Sequence, residues 1–193
     1  MKANKLTQVL FTAGILLAAP LAANAAGSGV DTALNNDQGT QGAGGVVNFT
    51  GKITEMSCDV TPDSKNKQVE LGAWAKSYFN EHDETTRREF KINVEECPDS
   101  VTSVAVLFDG PKDANNSTLF QVTPGADSAT GVGVKLMQED GTTQIKPGTV
   151  SKAVEPKADG TAELVFYANY ATDGQAVEAG AANAVSNFLM VYN

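Results

Sequence analysis

From Val46 onward, apolar and polar residues alternate with a period of two, in short runs divided by glycine and proline. Successive side chains of an extended strand point to opposite faces, so this pattern buries one face of an antiparallel sheet and wets the other. In VNFTGKI, Val47, Phe49 and Ile53 face one way while Asn48, Thr50 and Lys52 face the other. EFKINVEEC repeats the pattern with Phe90, Ile92 and Val94, and SVAVLFDG with Val104, Val106 and Phe108. GVGVKLMQEDG contributes Val132, Val134 and Leu136, and ELVFYANY contributes Leu164, Phe166, Ala168 and Tyr170. Shorter runs fall at Val69–Leu71 and Leu119–Val122. Turn residues such as Pro62, Gly72, Gly110-Pro111, Pro124-Gly125, Pro147-Gly148 and Gly160 stand between the runs, where a ladder would suffer from them. About seven strands of this kind predict an all-β, two-sheet sandwich. Helix competes only at 73–82 and in the Ala-rich stretch 175–185, and a single short helical turn is expected near 74–79.

The compartment follows from the other end. Lys2 and Lys5 precede the apolar run Val9 to Ala23, which closes on Ala23-Asn24-Ala25. That arrangement predicts a secretory signal peptide over residues 1–25, too short in its apolar part to span a bilayer. Two of the 14 basic residues would leave with it and none of the 23 acidic ones, so the mature chain would carry 12 against 23, a net charge of −11. Such a chain repels nucleic acid and anionic lipid, and neither is expected as a partner; nor is membrane insertion. In an exported protein two cysteines predict one disulfide, Cys58 to Cys97, rather than a metal or redox pair, which would need CxxC spacing or histidine partners. Closing that loop would remove entropy from the unfolded chain worth roughly 4 kcal/mol.

Residues 26–45, AGSGVDTALNNDQGTQGAGG, are rich in Gly, Asn, Gln and Thr and cannot build a core. The domain proper is expected over 46–193. It finishes on VSNFLMVYN, an apolar strand with Phe188, Met190 and Tyr192 in one phase. An uncovered apolar edge invites association, so either an internal strand or another chain should lie beside it.

The order VNFTGKI…C, VELG, EFKINVEEC, VAVLFDG, GVGVKLMQEDG, LVFYANY and AGAANAVSNFLMVYN resembles the structural pilins of the chaperone/usher (type 1-like) fimbrial family of Gram-negative bacteria. The most specific part is C-terminal: Tyr192 at the penultimate position, Gly180 fourteen residues from the end, and alternating Phe188 and Met190 between them. The resemblance implies an incomplete immunoglobulin-like sandwich that lacks its seventh strand and is completed by donor-strand exchange. It implies a periplasmic chaperone that lends a strand and receives the carboxylate of Asn193, and an outer-membrane usher that exchanges that strand for the N-terminal extension of the next subunit. The extension 26–45 then becomes donor strand and hinge, with Val30, Thr32 and Leu34 as its pocket residues. The destination is the cell surface, where identical or related pilins form a fimbria supporting adhesion.

Other chemistry finds few parts. His82 is the sole histidine and sits in the polar run NEHDE, so neither a hydrolytic triad nor a zinc site is expected, no cofactor is implied, and the chain is not expected to be an enzyme. Glu95 and Glu96, adjacent on a strand, should point to opposite faces. Trp74, Tyr78 and Phe79 suggest a sugar-binding platform but fit better as a plug at one end of the sandwich. Two alternatives remain to the shaft subunit: a secreted monomeric Ig-like binding module, and a minor adhesive or adaptor pilin.

Overall fold

The computed structural model describes residues 44–53 and 57–193; the expected signal peptide and Val30, Thr32 and Leu34 lie outside them. The chain divides after Gly51 into two units, Met1–Gly51 and Lys52–Asn193. The described part of the first, 44–51, carries no strand or helix, nor does 52–53. The strand expected at Val47–Ile53 is therefore not formed: alternation prepares a segment for a ladder, but a strand requires backbone partners.

The second unit is a sandwich. Its strands are β1 (Asp59–Val60), β2 (Arg88–Glu95), β3 (Val104–Asp109), β4 (Phe120–Gln121), β5 (Val132–Met137), β6 (Gln144–Ile145), β7 (Thr149–Val150), β8 (Ala162–Thr172) and β9 (Asn187–Tyr192). One sheet runs β1-β2-β8-β5-β4, with β6 also paired to β5; the other runs β7-β3-β9. All strand pairs are antiparallel. Among the described residues, helix is confined to a four-residue turn, Pro62–Lys65, and a 3-10 turn, Lys76–Asn80, the latter close to the expected place. The Ala-rich stretch is extended instead, because its alternate residues Ala182 and Ala184 pack on the core while Ala181, Asn183 and Val185 face outward.

The in-phase residues of each long run form the core. Ile92 stands opposite Leu164 and Phe90 opposite Phe166 in the first sheet, while Val106 faces Met190 and Phe108 faces Phe188 in the second. Phe108 and Phe166 then meet across the sandwich edge to face, with centroids 4.9 Å apart. That arrangement sets positive ring edges against negative ring faces. The disulfide Cys58–Cys97 ties the segment before β1 to the exit of β2. Glu96 lies beyond β2, where the chain turns through a φ of 54°, so it does not share a strand with Glu95 as the sequence suggests.

Candidate functional site

Strand β9 is hydrogen-bonded to β3 along one edge, and among the described strands none pairs with its other edge. Where β9 begins, at Asn187 and Phe188, that edge meets an open groove of about 950 Å³ with an apolar floor. Its floor is built from Phe90, Ile92, Phe108, Phe120, Val134, Leu136, Ala168 and Tyr170. One wall is the extended chain 177–188 leading into β9; the other is 65–74. Within the latter, Val69 and Leu71 turn their side chains to the core, yet no ladder forms there, so the expected strand at Val69–Leu71 is not present. Among the described residues no backbone hydrogen bond joins the two walls; Glu178, Ala181 and Asn183 are bonded instead to residues 123–130, away from the 65–74 wall.

The expected C-terminal residues fall in three places. Phe188 lines the groove and, with Met190 and Tyr192, packs against the core from the inward face of β9. Tyr192 also donates its hydroxyl to the Cys58 carbonyl at 3.0 Å, and burial pushes its phenol above the ordinary range. Asn193 is tied by its main chain: its N–H donates to the Ser103 carbonyl at 3.0 Å, and its oxygen accepts from the amides of Thr102 and Ser103 and from the Thr102 hydroxyl.

Gly180 stands on the groove wall where the chain crosses residues 127–129. A Cβ there would fall 2.5 Å from the Ala129 nitrogen and the Ser128 carbonyl carbon. Ala181 donates to the Asp127 carbonyl at 2.7 Å and accepts from the Ala129 amide at 2.9 Å. Only a residue without a side chain permits that approach of two backbones.

Several groove residues escaped the sequence reading. Lys76 and Glu178 meet at 2.7 Å where the 3-10 turn faces the 177–188 wall, a pair 102 residues apart that leaves no local signal. Tyr170, read only as an inward residue of its strand, also donates its hydroxyl to the Ala182 carbonyl at 2.9 Å and so holds the wall to the floor. Burial raises its pKa. Trp74 and Phe79 line the same end of the groove, with Trp74 donating to the Leu71 carbonyl at 2.9 Å. Tyr78 is stacked on exposed His82 at 4.2 Å. Trp74 and Phe79 thus belong to the groove lining, while Tyr78 packs on His82 outside it.

A sandwich that leaves its terminal strand open along an apolar groove has the incomplete immunoglobulin-like form of chaperone-usher pilus subunits. The family model described as "Fimbrial protein" matches residues 47–193, and the chain belongs to that family. It is similar to the Long polar fimbria protein A of Salmonella typhimurium, 33% identical over 150 residues, 77% of this chain and 83% of the relative. Among solved structures it resembles the Burkholderia pseudomallei antigen and type I fimbria protein, with a TM-score of 0.53 and 32% identity, over 76% of this chain and 96% of that one. The fold is also that of the P pilus rod subunit PapA, with a TM-score of 0.61 and 19% identity, over 70% of this chain and 99% of that one. The protein is a structural subunit of a surface fimbria and associates with other pilin subunits.

Proposed function

We propose that the groove beside β9 receives the N-terminal extension of a neighbouring copy, joining subunits head to tail. The observation carrying this reading is the free edge of β9 above an apolar floor. A strand laid there extends the ladder and removes apolar surface from water, which is β-strand addition. Because each subunit gives at one end and receives at the other, the contact propagates as a fibre. Cleavage of residues 1–25 frees the donor. A periplasmic chaperone occupies the groove first, with Tyr192 and Asn193 at the end it captures, and an outer-membrane usher exchanges its strand for the next subunit's extension.

Two tracts of the extension compete for the donor role. Val30, Thr32 and Leu34 supply two large apolar side chains in phase. Val47, Phe49, Gly51 and Ile53 supply three, and Phe49 and Ile53 are 91% and 100% exposed. Burial of three such side chains is worth about 1.5–3 kcal/mol each. That is comparable with the roughly 5–15 kcal/mol that holds a typical domain folded. The second tract therefore carries the proposal, which places the domain boundary close to Gly51 rather than at 45/46.

The test adds synthetic peptides spanning 28–38 or 44–54 to the mature chain and follows thermal unfolding. A rise in the midpoint with the 44–54 peptide is expected. No response to either peptide overturns acceptance of the extension, and a response to 28–38 alone returns the donor role to Val30 and Leu34.

A further inference from the structure

The chain has a formal net charge of −9, yet the ionisable groups lining the groove are mostly cations: Lys65, Lys67 and Lys76 against Glu70 and Glu178. Lys76 and Glu178 are paired at one end, where the 177–188 wall begins. Lys65 and Lys67 stand at the other end. That end is fixed by three contacts: Val60 lies opposite Val94, the Thr61 amide donates to the Asn93 carbonyl at 3.0 Å, and the Tyr192 hydroxyl reaches the Cys58 carbonyl. The segment leading into Lys65 therefore runs beside the C-terminal end of β9. Both lysines are exposed, Asp63 and Glu70 are their neighbours in the chain, and among the described residues neither lysine makes an ion pair.

We propose that Lys65 and Lys67 hold the acidic tract that precedes the donor strand, residues 26–43 of a neighbouring copy. The side chains of that tract carry charge only at Asp31 and Asp37, with no lysine, arginine or histidine. Strand direction decides which end of the groove the tract meets. Every strand pair of the sandwich is antiparallel. A donor that continues this pattern beside β9 runs from the Tyr192 end towards Asn187, so its Gly44 stands at the Lys65 end and the acidic tract leaves past the two lysines. Parallel insertion would bring the same tract to Lys76 and Glu178, whose charges already satisfy one another. Asp37 lies seven residues before Gly44, and an extended chain spans about 3.3–3.6 Å per residue, so its carboxylate reaches either lysine. Exposed pairs of this kind add little to the strength of a contact. Charges at the rim of an interface act instead on the rate of encounter and its salt dependence. Two acidic subunits repel over most of their surface, and the lysines mark the place on the acceptor where an acidic extension is drawn in. The inference rests on acceptance of the extension as proposed above.

The test titrates the mature chain with labelled peptides 26–54 and 44–54 and reads affinity by fluorescence anisotropy. At low salt the longer peptide should bind about 2- to 25-fold more tightly. That advantage should vanish when the peptide carries Asp31→Asn with Asp37→Asn, when the chain carries Lys65→Gln with Lys67→Gln, and at ~1 M salt, where charges are screened within about 3 Å. Equal affinities of the two peptides at low salt would overturn the proposal. An advantage that survives the Asn substitutions would overturn it too, by assigning the gain to Val30 and Leu34 instead of charge. Loss with the Asn peptide but not with the Gln chain would move the contact away from these lysines. Failure of both peptides to bind would instead overturn acceptance of the extension itself.

Discussion

The hydroxyl of Tyr192 donates to the main-chain carbonyl of Cys58 across a separation of 134 residues. This bond fastens the last strand to the disulfide-bearing segment that follows the N-terminal extension.

Removing only that bond, in Tyr192→Phe, should cost the net worth of one hydrogen bond, about 0.5–1.5 kcal/mol. Tyr192→Ala also loses the ring packing and should cost more, though less than the ~3–5 kcal/mol of a fully buried aromatic, since Tyr192 is half-buried. Urea midpoints of both variants check this. If the side chain also anchors chaperone capture, Tyr192→Ala should reduce chaperone co-purification from the periplasm well beyond the loss in Tyr192→Phe.

Gly180→Ala sets a methyl group against main-chain atoms of residues 127–129, which cannot swing aside as a flexible side chain would. Overpacking of this kind typically costs about 1–3 kcal/mol. The 177–188 wall should shift with it, so the variant is expected to lose denaturant resistance and the stabilising response to the 44–54 peptide together. Calorimetry with and without peptide reads both.

Acid should destabilise the subunit partly through Glu84. Burial raises its pKa, but the Lys135 ammonium and the Asn169 amide outweigh burial and hold the carboxyl below its ordinary 4.5. A depressed folded value contributes stability that is fully present above about pH 4.5 and lost as pH falls through the folded value. Glu84→Gln should therefore flatten the acid limb of a stability profile measured from pH 7 to pH 3. A profile as steep as the parent's would assign that limb to other carboxylates.

Much of this was legible in the residues. Period-two alternation marked Ile92, Val94, Val104, Val106, Leu164 and Phe166 as core, because side-chain direction along a strand is local. The inward phase of Phe188, Met190 and Tyr192 was readable for the same reason, and the cysteine pair from expected export without CxxC spacing or histidine partners. Alternation could not say which runs would find partners. Val69–Leu71 and Val47–Ile53 carry the pattern of strands without becoming strands, while Val104–Asp109 is paired on both edges. Nor could it show that Met137, out of phase with Val134 and Leu136 by one position or three, is fully buried as well. The need for glycine at 180 and the Lys76–Glu178 pair depend on backbones distant in sequence coming together. The sequence by itself determined which face of each strand is apolar. Only the tertiary structure decided which edge stays open, because a hydrogen-bonded ladder joins two segments and a single run specifies just one.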